Sequence, residues 1–141
     1  MESTGTRRLC VLLVDDDLDT LMWLRRAVGR WGHHAMTADS GQAGLALAKA
    51  IQFDLIVCDI GLPDEDGCEV LEKIRNLYAV KAIALTGYGM SADLTRFREA
   101  GFDVFLLKPV ELSALECAIE KIREDLRLSA IGEGEPLCRS R

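Results

Sequence analysis

The sequence predicts an α/β fold, a doubly wound parallel sheet of five strands with helices on both faces. Five short apolar runs carry this reading, at residues 10–14, 35–37, 55–58, 82–85 and 104–107. Most lack polar alternation, as strands buried on both faces do. Between them lie segments whose apolar residues step by three and four, the period of a helix with one buried stripe.

Taken in order, the first run ends at Asp15-Asp16-Asp17 and is followed by Leu21, Leu24, Val28 and Trp31, the stripe of a first helix that Gly32 closes. The second run leads to Ser40, whose hydroxyl suits the cap of a helix over 41–50. The third run ends at Asp59 and the fourth at Thr86, and Gly101 closes a helix over 91–100. The fifth run ends at Lys108-Pro109, after which Leu112, Leu115, Ile119, Ile122 and Leu126 lay a last stripe. Right-handed crossovers leave few topologies for such a chain. Residues 1–8 read as a polar arm, 9–128 as the domain, and 129–141 as a frayed tail, because Gly132, Glu133, Gly134, Glu135 and Pro136 break the apolar period.

The 141 residues suit one domain whose core needs no disulfide or structural metal. With 17 basic and 23 acidic residues the net charge is −6, which disfavours direct contact with nucleic acid or an anionic membrane. Cys10, Cys58, Cys68, Cys117 and Cys138 form no C-x-x-C pair and have no histidine at zinc-ligand spacing. They read as reduced thiols of a cytoplasmic protein. The first apolar run is too short for a signal peptide or a membrane span.

Ligands of open parallel sheets bind outside the carboxyl ends of the strands, so the residues ending each run are the candidates. Adjacent first and third strands would bring Asp15, Asp16 and Asp59 into one pocket. Carboxylates about 5 Å apart repel by roughly 3 kcal/mol per pair at an effective dielectric near 20, so protons or a cation must relieve them. Oxygen-only ligands select a hard cation, and a small cluster that leaves waters in place suits Mg2+ better than Ca2+. Aspartate also ends strands and caps helices, so each residue alone has a structural reading; the set at four strand ends points to a ligand site.

The segments L-L-V-D-D-D, D-L-I-V-C-D-I-G-L-P-D-E-D-G, A-I-A-L-T-G-Y-G and A-G-F-D-V-F-L-L-K-P resemble, in order and spacing, the chemotaxis-regulator-like receiver domains of two-component response regulators. The resemblance runs from about Leu9 to Leu126 and implies the flavodoxin-like strand order 2-1-3-4-5. It implies that Asp59 accepts a phosphoryl group from a phosphohistidine. Asp15 and Asp16 would hold Mg2+ with Asp59 and the Gly61 carbonyl, while Thr86 and Lys108 bind the phosphoryl oxygens. Thr86 and Phe105 would be the switch that alters the surface around the fourth and fifth strands and last helix. Tyr88 would shield the acyl phosphate from water, and the Lys108-Pro109 bond would be cis.

The implied partner is a sensor histidine kinase or a histidine phosphotransfer domain, with an exposed Trp23 on the first helix as a candidate anchor and Trp31 in the core. A downstream protein effector or a homodimer would carry the output. Val104 and Leu107 stand where DNA-binding relatives are often polar, and the wording I-G-L-P is close to receivers of hybrid sensor kinases. The expected chemistry is confined to the chain's own aspartyl phosphorylation and dephosphorylation. Two alternatives are a haloacid-dehalogenase-like phosphatase, whose D-x-D-x-T motif Asp17-Leu18-Asp19-Thr20 loosely resembles, and a phosphorylation-independent interaction module on the same scaffold. Asp64-Glu65-Asp66 reads as a solvated loop rimming the pocket, and His33-His34 as a solvated turn.

Overall fold

A computed structural model describes residues 8–87 and 94–133. Strands and helices alternate through them: β1 (Cys10–Val14), α1 (Leu18–Arg30), β2 (His34–Ala38), α2 (Gly41–Ala50), β3 (Leu55–Asp59), α3 (Gly67–Arg75), β4 (Lys81–Thr86), α4 (Leu94–Glu99), β5 (Val104–Leu107) and α5 (Leu112–Glu133). The expectation for Tyr88 lies outside the described residues. All strand pairs are parallel, in the order β2-β1-β3-β4-β5. The predicted fold and strand order are those observed.

The unbroken apolar runs become intelligible once neighbouring side chains are followed to opposite faces. Cys10, Leu12, Val14, Ile56, Cys58, Ala82 and Ala84 face one core with residues of α2 and α3. Leu9, Val11, Leu13, Leu55, Val57, Ile83 and Leu85 face the other with residues of α1 and α5. Burying one such Leu, Ile or Val side chain contributes about 1.5–3 kcal/mol, so both faces must be covered for strands this apolar. The expected stripes supply the covers: Leu21, Leu24 and Val28 from α1, and Leu115, Ile119 and Ile122 from α5, are buried, with Trp31 and Leu126 packed at the margin.

Gly32 and Gly101 take φ of +95° and +103°, the left-handed turn that lets the chain leave a helix without a Cβ clash. The α3 end and the α4–β5 turn are held by one side chain. Arg75 donates from Nε (3.0 Å) and Nη2 (2.7 Å) to the Val80 carbonyl and from Nη1 (2.6 Å) to the Gly101 carbonyl. At the other end, α5 runs to Glu133, five residues past the predicted boundary at Leu128. Ser129, Ala130 and Ile131 are compatible with a helix, and the first strong breaker is Gly132. Cys58 and Cys68 are buried free thiols and Cys117 an exposed one. Cys10 is disulfide-bonded, a departure from the expectation of five reduced thiols.

Candidate functional site

The carboxyl ends of β1, β3, β4 and β5 meet at one edge, and each exit is fixed by its own backbone bonds. Beyond β1, the Asp15 N–H donates to the Ala38 carbonyl at 3.1 Å, carrying the parallel ladder one residue further. Asp15 is 1% exposed, and its Oδ1 accepts from the Asp17 N–H at 2.9 Å. Asp17 turns away to cap α1, accepting from the Asp19 N–H (3.2 Å) and the Thr20 hydroxyl (2.7 Å). Asp16, between them, is exposed.

Beyond β3, the Ile60 N–H donates to the Leu85 carbonyl at 3.1 Å, and the Gly61 N–H donates to Asp59 Oδ1 at 3.1 Å. Gly67 begins α3 directly against this exit: a Cβ there would stand 2.9 Å from the Asp59 carbonyl oxygen. Thr86 is buried at the end of β4, and its carbonyl accepts from the Lys108 N–H at 2.6 Å. The Lys108-Pro109 bond is cis, as expected. Lys108 Nζ lies 2.9 Å from Asp15 Oδ2 and 3.3 Å from Asp59 Oδ2.

Asp15, Asp16 and Asp59 each place a carboxylate oxygen within 4.8 Å of the others, the one such acidic group among the described residues. Burial pushes the Asp59 carboxyl above its ordinary value; the Gly61 N–H and Lys108 oppose this, and Asp15 adds to it. Burial would lower Lys108, but Asp15 and Asp59 outweigh it and raise the ammonium, which stays charged. Asp15 Oδ2 is buried, and the Lys108 ammonium 2.9 Å away is the group that offsets its charge. Oxygen-only donors crowded into one cluster fit a hard divalent cation. Burial foremost, then the neighbouring Asp59, pushes up the Cys58 thiol, so it offers no competing nucleophile.

The expected site residues thus divide. Asp15, Asp16, Asp59 and Lys108 converge through side chains, Gly61 joins through its N–H, and Thr86 stands one residue past Leu85, the β4 partner of Asp59. Phe105 lies further back, opposite Ala84 on β5, half-buried. Its ring centroid is 6.3 Å from that of Phe102, and the Arg98 guanidinium carbon is 5.8 Å from it. The α1 helix, which starts directly after Asp17, exposes Leu18, Met22 and Trp23, the last at 46%.

The Asp64-Glu65-Asp66 loop lies at the surface as expected, with Asp64 exposed, but its side chains are engaged: Asp64 accepts from α2 N–H groups, Glu65 pairs with Lys73, and Asp66 caps α3. Asp66 followed three residues later by Glu69 is a helix-start pattern visible in the sequence; Asp64 has no such local signal, because its partners lie more than twenty residues away. His33 is not a solvated turn residue but 4% exposed, with Nδ1 accepting from the Leu9 N–H at 3.0 Å. The positive φ of Gly32 turns the chain inward just before it.

The family model for the response regulator receiver domain matches residues 11–120. The transcriptional regulatory protein AfsQ1 of Streptomyces coelicolor is 36% identical over 112 residues, covering 79% of this chain and 50% of that protein. The virulence sensor protein BvgS of Bordetella pertussis is 36% identical over 115 residues, covering 76% of this chain and 9% of that protein. The chain therefore spans half or less of the length of these relatives. Among solved structures, a CheY-like response regulator receiver domain protein from Methanospirillum hungatei matches with a TM-score of 0.79 at 31% identity, covering 84% of this chain and 96% of that one.

Proposed function

From the premise that this chain belongs to the response regulator receiver family, we propose that Asp59 is its phosphoacceptor, charged by a phosphohistidine on a partner protein. The observation that carries this is the state of the Asp59 carboxylate. One oxygen is held by the Gly61 N–H, and the other faces Lys108 within a cluster shared with Asp15 and Asp16. In the reaction an Asp59 oxygen bonds to phosphorus as the P–N bond to the donor imidazole breaks, leaving an acyl phosphate and a neutral histidine once a proton is taken up. Lys108 offers a cation to the arriving oxygens, and Thr86 a hydroxyl.

Asp15, Asp16 and Asp59, with the Gly61 carbonyl, would hold Mg2+. When bound, that ion neutralises the phosphoryl charge and aligns the transferring oxygens. Thr86 and Phe105 would pass the new charge to the β4, β5 and α5 surface. The exposed Leu18, Met22 and Trp23 lie on α1, the helix that follows the Asp15–Asp17 loop, and would seat the histidine-bearing partner. No helix among the described residues is long and apolar enough to cross a membrane. The phosphatase alternative loses its motif, because Asp17 and Thr20 are occupied with each other and with the start of α1.

Beryllofluoride, a phosphoryl mimic, tests the assignment by titration with and without Mg2+. The native chain is expected to bind it only with Mg2+, and Asp59→Asn not at all. Equal binding by both would overturn the assignment.

A further inference from the structure

The loop leaving Asp59 is held in an unusual way. Gly61 has open space where a Cβ would stand, so nothing packs against that side of it. The restraint comes from its neighbours. Upstream, its N–H donates to Asp59 Oδ1. Downstream, Leu62 is buried, Pro63 has its φ fixed by the ring, and Asp64 reaches across to α2. Asp64 Oδ1 accepts from the Gly41 N–H at 3.0 Å and Oδ2 from the Gln42 N–H at 3.1 Å. These donors belong to the first turn of α2, where no intrahelical carbonyl can reach them, and they hold the Asp64 carboxyl below its ordinary value.

The same end of α2 is fastened to the other ligand-bearing loop. It follows Ala38, whose carbonyl takes the Asp15 N–H, and Gly44 sits so close to β1 that a Cβ there would stand 3.1 Å from the Val14 side chain. The loop with Asp15 and Asp16 and the loop with Asp59 and Gly61 are therefore joined twice. One joint is the β1–β3 pairing inside the sheet. The other runs outside it, through Ala38, the start of α2 and Asp64.

We propose that Asp64 is a positioning residue for the divalent cation: its tie to the α2 N-terminus fixes the separation of the two ligand-bearing loops and so strengthens cation binding. The proposal rests on Asp15, Asp16 and Asp59 being the cation ligands. Ser40 supplies an internal control, since its hydroxyl caps the same helix locally by accepting from the Ala43 N–H at 3.0 Å. By linkage, if the tie favours the cation, the cation must favour the tie.

The test is calorimetric titration of Mg2+ into the full chain, with amide hydrogen exchange read at Gly41 and Gln42. Asp64→Ala is expected to weaken Mg2+ binding about three- to tenfold, the range of one lost cap. Asp64→Asn, which removes the same charge but keeps an accepting oxygen, is expected to lose less. Ser40→Ala should bind Mg2+ as the native chain does, and Mg2+ should slow exchange at Gly41 and Gln42 in the native chain but not in Asp64→Ala. Native affinity in Asp64→Ala would overturn the proposal. So would equal losses in Asp64→Ala and Asp64→Asn, which would make it a matter of charge, or in Asp64→Ala and Ser40→Ala, which would make it one of helix capping. Asp16→Asn separates the underlying reading: if it binds Mg2+ as tightly as the native chain, the ligand assignment fails and the proposal with it.

Discussion

Asp59 sits in a place that suits a charge about to be shared and suits an unshared charge poorly. Burial and the Asp15 carboxylate push its carboxyl above the ordinary value, and neither the Gly61 N–H nor Lys108 cancels them. A carboxyl raised on folding binds its proton more tightly in the folded chain, so the stability it contributes below the ordinary value is lost as pH rises from there through the folded value. At neutral pH without divalent cation, Asp59→Asn should therefore melt higher than the native chain, by a few degrees for about 1 kcal/mol. Asparagine keeps an oxygen for the Gly61 N–H and removes one charge from the cluster. Adding Mg2+ should reverse the order, because only the native chain regains its full cation affinity. Thermal melts in chelator and in excess Mg2+ check both halves; an Asp59→Asn chain less stable than native in chelator would refute the crowding account.

At the scale of elements, the sequence was most readable where burial on two faces left no choice of residue, as in β1, β3 and β4. The stripes of α1 and α5 were readable for the same reason, since each must cover one face. Local chemistry disclosed the Ser40 cap and the closing glycines, whereas the Asp64 bridge depends on residues brought together only by the fold. The site was legible as a list of strand ends; that Asp15 is buried while Asp16 is exposed depends on how Asp17 turns into α1. The pairing of α4 with β5 was equally hidden. Phe105 lacks a hydroxyl to fix its rotamer, and here the ring is bracketed by Phe102 and Arg98. A cation over a ring at such a site is worth about 0.5–1 kcal/mol and holds the ring in this half-buried position, which the proposed phosphorylation switch would have to leave. Arg98→Ala should therefore raise beryllofluoride affinity about two- to fivefold, and should do nothing in a Phe105→Leu background. Titration of the four chains of that cycle decides it; the same gain with leucine in place would show that Arg98 acts elsewhere.

Across the whole molecule the two ends of the sheet handle charge in opposite ways. The carboxyl end gathers three aspartates and a lysine in one pocket, while the amino end buries a histidine ahead of β2, under the start of β1. Because His33 Nδ1 accepts from the Leu9 N–H, the ring is neutral, and its Nε2 has no partner among the described residues. Protonation would cost that hydrogen bond and bury a cation. Burial, first of all, lowers its pKa; Glu120 and Asp54 oppose this, and Arg123 and Arg8 reinforce it. A histidine lowered on folding binds more protons when unfolded, so stability is retained above the ordinary value near 6.5 and lost as pH falls from there toward the folded value. His33→Asn keeps an acceptor for the Leu9 N–H but cannot titrate, so the native advantage over it should shrink by roughly 1 kcal/mol between pH 7 and pH 5. Urea melts at each pH measure that difference with the titrating carboxylates common to both chains. Because His33 lies at the amino ends of the strands, Mg2+ affinity at each pH should be the same in the two proteins. Parallel stability curves would remove the buried histidine from the account of acid sensitivity.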